Sequence, residues 1–375
     1  MKRIWILAIA MVLMVPAMAS MASASEHHEM SINRYIGGFE YKDGAVSGRY
    51  VSFSVDAKNG EIWNYTVNNV TVFDHIYYEK TTMGKIRVSG AAFMYVGMGY
   101  GLDDWDRKNM SFEGEWKFIH AHDNPVGVLH IVIHGSDTIT YKLAEGINAT
   151  LMNSTVILEG AVDARLLISN GEANIDNGSI SITTMGNSST SVIFVEPTQW
   201  VIEDKIKNMV MKEIQKGKVG AEMYIGENGC DLINYSYEMK AQIMHQEKNH
   251  LRLKISSESP EGKVMIMHVD KNMLRYDAQH RIMVKLDGKN ITEGSVDAVM
   301  NGGTEAKYAV VDNGDSVTLM VYIPHFSEHT LDVESEPVEG GEINGFTMEN
   351  PLLIALIIVV IIGVVGAVIW KTKSR

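Results

Sequence analysis

Residues 48–74, GRYVSFSVDAKNGEIWNYTVNNVTVFD, decide the fold class. YVSFSV (residues 50–55) alternates aromatic or branched side chains with serines. Asn59-Gly60 separates it from a second such run at residues 62–67. Short β-branched and aromatic runs with a period of two, broken by turn dipeptides, predict strands with one buried face.

The pattern continues on either side. Residues 128–134 (VLHIVIH), 155–158 and 191–195 (SVIFV) are further strands, and Asp43-Gly44, Asn170-Gly171 and Asn177-Gly178 are further turns. Residues 91–101, AAFMYVGMGYG, read as a buried, bulged strand. Many short strands at such spacing predict a sandwich, barrel or solenoid rather than βαβ units.

The period changes once. Ile202, Ile206, Val210 and Ile214 recur every four residues, with Met209 on the same face. A Glu203–Lys207 pair at i,i+4 supports a helix, and Gly217 supplies its stop. Residues 220–333 return to strands, with hairpin signals at Glu227-Asn228-Gly229, Glu247-Lys248-Asn249, Asp287-Gly288, Asn301-Gly302 and Asp312-Asn313-Gly314. Seven or eight strands in about 110 residues is the size of an immunoglobulin-like sandwich.

The ends read differently. Lys2 and Arg3, an apolar run over residues 4–15 and the patch AMASMASAS form a secretory signal, cut after Ala19 or Ala24. Residues 351–370, PLLIALIIVVIIGVVGAVIW, carry no charge and are followed by Lys371, Lys373 and Arg375. Twenty helical residues span about 30 Å, the thickness of a bilayer core. The basic stub places the tail in the cytoplasm and the rest outside. Residues 334–350 hold five glutamates and read as a stalk.

The expected fold class is therefore mainly β: an antiparallel β-sandwich-type ectodomain of at least two domains, one linking helix and a single C-terminal transmembrane helix. The expected order is a signal peptide (1–24), a β-rich N-terminal domain (25–197), an amphipathic linking helix (198–219) and an immunoglobulin-like sandwich (220–333). An acidic stalk (334–350), a membrane span (351–370) and a basic tail (371–375) follow.

Three stretches carry a resemblance: residues 251–270 (LRLKISSESPEGKVMIMHVD), 282–291 (IMVKLDGKNI) and 319–333 (LMVYIPHFSEHTLDV). Together they resemble a membrane-proximal β-sandwich of archaeal single-pass cell-surface proteins. Residues 48–74 and 122–129 resemble the same kind of protein. The resemblance implies a surface location and no assigned activity.

The net charge of −13 argues against a nucleic-acid partner. Cys230 is the single cysteine, so no intrachain disulfide forms. Asn-x-Ser/Thr sequons begin at Asn64, Asn69, Asn109, Asn148, Asn153, Asn177, Asn187, Asn234 and Asn290, about three times the chance frequency. On an exported chain they are candidate glycosylation sites, although Asn, Ser and Thr also gather in β-turns.

His120, His122, His130 and His134 are candidate metal ligands, because positions i and i+2 of a strand face the same way. The plainer reading is a row of histidines on a solvated face. A mature terminus Ser25-Glu26-His27 would supply four nitrogens for Cu(II) or Ni(II). His245-Gln246-Glu247-Lys248-Asn249-His250 has the wrong order for H-E-x-x-H and falls at a hairpin turn. Asp103-Asp104-Trp105-Asp106 reads as a solvated loop.

His325-Phe326-Ser327 matches the three residues at the cut of self-cleaving β-domains such as some ZU5 and nucleoporin domains. In those, the serine attacks the preceding carbonyl. No cofactor is expected.

The function expected is that of a non-catalytic, glycosylated structural or adhesive protein on the cell surface, with an extracellular protein or glycan as partner. The alternatives are a metal-binding or sensing ectodomain using His120–His134, and a protein cut between Phe326 and Ser327. Gly363 and Ala367 form a small-xxx-small pair that would allow two spans to dimerise. Asn344-Gly345-Phe346 before the span resembles an archaeal sorting signal, with Asn344 in place of its proline.

Overall fold

The computed structural model describes residues 32–98 and 114–338, apart from 187, 228, 237–238, 258–260 and 326. The signal peptide, the Asp103–Asp106 loop, the far end of the stalk and the span at 351–370 lie outside these residues. Among the described residues no helix is long and apolar enough to cross a membrane.

The strands form four sheets in two sandwiches, which settles the choice left open for the N-terminal half. In chain order its first strands are β1 (Glu40–Lys42), β2 (Ala45–Ser47), β3 (Val51–Val55), β4 (Ile62–Val67) and β5 (Val70–Tyr78). Next come β6 (Met83–Ser89), β7 (Ala92–Met98), β8 (Trp116–His122), β9 (Leu129–His134), β10 (Thr138–Leu143) and β11 (Ile147–Met152). Then follow β12 (Thr155–Gly160), β13 (Ala164–Ser169), β14 (Gly171–Asp176), β15 (Ser179–Thr184) and β16 (Ser189–Val195). Sheet one runs β1-β2-β3-β4-β5-β10-β15-β14, and sheet two runs β11-β12-β13-β16-β9-β8-β7-β6. Their facing sides enclose one apolar core built on Phe53, Tyr65, Phe73, Tyr141 and Phe194.

The second sandwich is β17 (Val219–Gly226), β18 (Gly229–Asn234), β19 (Met239–Glu247), β20 (His250–Ser257), β21 (Lys263–Asp270) and β22 (His280–Leu286). It ends with β23 (Lys289–Asn290), β24 (Thr292–Glu293), β25 (Lys307–Asp312), β26 (Ser316–Ile323) and β27 (Glu328–Pro337). Sheet three is β18-β17-β21-β26-β25-β24 and sheet four is β19-β20-β27-β22-β23. Pairing is antiparallel except for β17–β21 and β24–β25, which are parallel. Asn301-Gly302 ends a six-residue helix, α2 (Val296–Asn301), instead of a hairpin, with Ser295 capping the Ala298 amide. A helix that short shows no readable period.

β17, β21 and β26 are buried along their whole length, so both faces of sheet three are covered. One face packs on sheet four around Met223, Met267 and Leu319. The other meets the outer face of sheet two in a third apolar core containing Leu167, Ile193, Tyr224, Ile266 and Met320. Helix α1 (Asp204–Gln215) lies in that layer with Ile202, Ile206, Val210 and Ile214 inward. Gly217 (φ 71°) ends it. Lys207 pairs with Asp204 at 2.9 Å, not with Glu203, which is the N-cap residue and pairs with Lys205.

The β8–β9 turn ties the N-terminal segment to this frame. The Asp123 carboxylate, fully buried, accepts backbone N–H bonds from Gly38, Arg49, Tyr50 and Val51 at 2.7–2.9 Å. A Cβ at Gly37 or Gly48 would come within 2.4 Å of that carboxylate, so the approach requires glycine at both. Asp123→Ala leaves the buried Val51 donor and three part-buried donors without their acceptor, the buried one alone costing about 1–3 kcal/mol. The expected loss is at least ~3 kcal/mol in urea unfolding, and a loss below about 1 kcal/mol would contradict this role.

Lys117 is the fully buried cation of the first core, its Nζ 3.2 Å from the centre of the Tyr78 ring. Burial pushes its amine down to about 7. The unfolded chain holds that proton up to about pH 10.5. Stability from this group therefore falls as pH drops from about 10.5 to about 7. Lys117→Met is expected to raise stability at pH 7 by about 1–3 kcal/mol, read from urea midpoints.

Candidate functional site

Alternation on β8 puts Trp116, Phe118, His120 and His122 on the outer face of sheet two, and β9 adds His130 and His134. His120 and His130 are direct cross-strand partners. This face is not solvated as expected. The second sandwich covers it, leaving His120, His122 and His130 at 3%, 1% and 2% exposure.

Each imidazole takes a separate partner. His122 Nε2 lies 2.6 Å from Asp231 Oδ1 on β18, an enclosed contact between the two sandwiches. His120 bonds the backbone of Asn234. His130 Nε2 meets Ser191 Oγ at 2.8 Å, and His134 Nδ1 meets Ser189 Oγ at 3.2 Å while its ring stacks on Trp116. The rings of His120 and His122 are 5.8 Å apart and steeply inclined. The four are not among the described residues whose ligand atoms converge, and His122 links the two modules through Asp231. Burial, reinforced by His122 and His130, pushes His120 down to about 3, and burial alone takes His130 to about 4.

A second polar group in the same layer escaped the sequence reading. Glu222 Oε1 accepts from Tyr224 and His268 Nε2 at 2.7 and 2.8 Å, and its Oε2 accepts from Tyr235 at 2.5 Å. His268 Nδ1 contacts Thr318 Oγ1 at 2.7 Å, and the Tyr35 ring stacks on Tyr224. Burial raises the Glu222 carboxyl, but its bonds to His268, Tyr235 and Tyr224 outweigh that and hold it below the ordinary value. The signal was present as one acid and one histidine inside the apolar strands VGAEMYIG and KVMIMHVD. Closed to solvent, the group pins three strands together.

Of the sequon asparagines, Asn64, Asn69, Asn148, Asn153, Asn177 and Asn290 are exposed. Asn64, Asn69, Asn153 and Asn177 have φ between 48° and 66°, the left-handed turn conformation that asparagine tolerates. Asn234 differs from these: it is half-buried, and its amide oxygen is enclosed. Asn109 and Asn187 lie outside the described residues. Trp63 is half-buried on His75, Trp116 is buried, and Trp105 is outside the described residues.

At the proposed cut, Phe326 lies outside the described residues, and the imidazole beside Ser327 is that of His329, not His325. His329 Nδ1 meets Asp287 Oδ2 at 2.7 Å, but its Nε2 is bonded to the His325 carbonyl and stands 3.4 Å from Ser327 Oγ. Two sets of donors do converge, His245–Glu247–His250 and His250–Asp332–Glu334, on the outer face of sheet four.

A family model described as MAST domain matches residues 203–350, from the N-cap of α1 through the second sandwich to the end of the acidic stretch. No curated protein matches the chain. Among solved structures, the N-terminal domain of the Streptococcus gordonii adhesin Sgo0707 is similar at 9% identity, over 80% of this chain and 82% of that one, with a TM-score of 0.19. A likeness at that score carries no argument about fold or role.

The buried histidines make stability depend on pH. An unfolded histidine binds a proton near pH 6.5, whereas folded His130 does so only near 4. Acid therefore favours unfolding, and stability should fall between pH 6.5 and about 4 by up to ~1.4 kcal/mol per pH unit for each such histidine. Urea unfolding at stepped pH should show this slope and a shallower one in His130→Gln; identical slopes would refute it.

Proposed function

We propose that this chain is a surface-anchored, N-glycosylated structural or adhesive protein whose work is interaction and not catalysis. The observation that carries this reading is the layer between the sandwiches, where an apolar core, helix α1 and enclosed polar contacts join four sheets into one stack. Such a stack holds its outer surfaces in fixed relation, as display of a binding surface requires. β27 runs to Pro337, so residues 334–337 of the expected stalk are a strand paired with β22, and the remaining acidic residues and the apolar residues 351–370 follow it in sequence. Six exposed sequon asparagines, three on turns and three on strands, suit an exported chain. In this reading the ectodomain lies outside, residues 371–375 lie in the cytoplasm, and Gly363 and Ala367 favour pairing of spans. The partner is an extracellular protein or glycan.

Protease treatment of intact cells should digest the ectodomain and leave a membrane-bound fragment containing residues 351–375. Peptide mapping of the native protein should find glycan on Asn64, Asn148 or Asn290, and none on Asn234. Full protection from protease in intact cells, with digestion after lysis, would sink the surface assignment.

A further inference from the structure

The tip of the β19–β20 hairpin gathers the residues that the H-E-x-x-H comparison set aside. His245 and Glu247 are two apart on β19, after a bulge at Ile243/His245, and Glu247 pairs with His250 across the Lys248-Asn249 turn. All three point outward from sheet four. His245 Nε2 stands 3.3 Å from Glu247 Oε1, and His250 Nδ1 stands 3.6 Å from the same oxygen. Donors about 2.0–2.1 Å from a tetrahedral zinc ion lie roughly 3.3 Å from one another. The side chains already stand near that spacing.

Two further observations separate this cluster from a chance surface ion pair. His250 Nε2 lies 3.2 Å from Asp332 Oδ1, and Asp332 is itself mostly buried and bonded to Arg252 Nε at 2.6 Å. A carboxylate that accepts a hydrogen bond from Nε2–H fixes the tautomer with a lone pair on Nδ1 for a metal, the usual support of a ligating histidine. The turn is also fixed. Asn249 N donates to the Met273 carbonyl at 2.7 Å, its own carbonyl accepts from Ser335 N at 3.0 Å, and its Oδ1 accepts from Arg275 N at 3.1 Å. The other convergent set, His250–Asp332–Glu334, is already committed, because Arg252 and Lys285 hold its two carboxylates at 2.6 Å.

We propose that His245, Glu247 and His250 bind one divalent ion of the zinc class, with Asp332 orienting His250. His245 and Glu247 are 46% and 61% exposed, so a fourth coordination position opens to solvent. It takes water, or a carboxylate or imidazole from a partner. The site stands on its own geometry and does not depend on the surface assignment.

The test is titration calorimetry of the full chain in detergent with ZnCl₂ alone, followed by Co²⁺ for the absorption bands of a tetrahedral site. One ion per chain is expected, at micromolar affinity or tighter. His245→Ala and His250→Ala should each weaken binding at least tenfold, and Asp332→Asn by about 10–100-fold. Lys248→Ala should leave binding unchanged. Affinity should fall on acidification, because protons compete with the ion for the ligand atoms. His245→Ala, and a Glu247→Gln variant that should also weaken binding, lie at exposed positions and should leave metal-free thermal unfolding unaltered. No uptake at about 100 μM zinc, or wild-type affinity in the His245→Ala/His250→Ala double variant, would overturn the proposal.

Discussion

The turn at residues 122–128 is the constraint on which the rest of the structure depends. Its Asp123 carboxylate gathers four backbone amides from two glycine turns that are distant in sequence. The residue before it, His122, crosses to Asp231 in the second sandwich. Val126 and Val128 after it belong to the core between the sandwiches. The Gly127 carbonyl accepts from Tyr65 in the first core, and the Pro125 carbonyl accepts from Asn68. One seven-residue stretch thus makes contacts in the N-terminal segment, the first core, the joint and the second module. A charge enclosed at such a point costs energy unless every lone pair is used, and the four amides use them.

The joint is apolar with a few polar groups set into it, and that mixture has consequences. Dispersion and burial supply attraction without direction. Glu222 with its two tyrosines and His268, and His122 with Asp231, add direction, because any other register would leave an enclosed group unpaired. A cost appears at His120 and His130, where burial disfavours the protonated form.

At the far side, sheet four presents charged residues in cross-strand ranks. Arg252 opposes Asp332, and Lys285 opposes Asp332 and reaches Glu334. Those pairs close most of the face electrostatically. The hairpin tip differs, since His245, Glu247 and His250 face one another with no lysine or arginine bonded among them. Pinned at Asn249, it is an ordered element of that face.

Much of this was legible in the chain itself. Alternation in YVSFSV and the turn dipeptides determined that the protein is made of strands with one wet face. The four-residue recurrence of Ile202, Ile206, Val210 and Ile214 determined the helix and its buried side. What alternation cannot report is whether an outward face meets water or another module. VLHIVIH, VGAEMYIG and KVMIMHVD are apolar on both faces, which is compatible with either a core strand or a joint. Only the packing of sheet two on sheet three decided that His120, His122 and His130 are enclosed, that the Asn234 amide oxygen is shut in, and that Glu222 has partners 2 to 46 residues away. The 245–250 motif failed as a helix because its spacing is wrong for one. A hairpin turn brings the same residues together, and the position of Asp332 beside His250 depends on β27 returning alongside β20. Local periodicity is set by neighbours in sequence, whereas a site is set by neighbours in space.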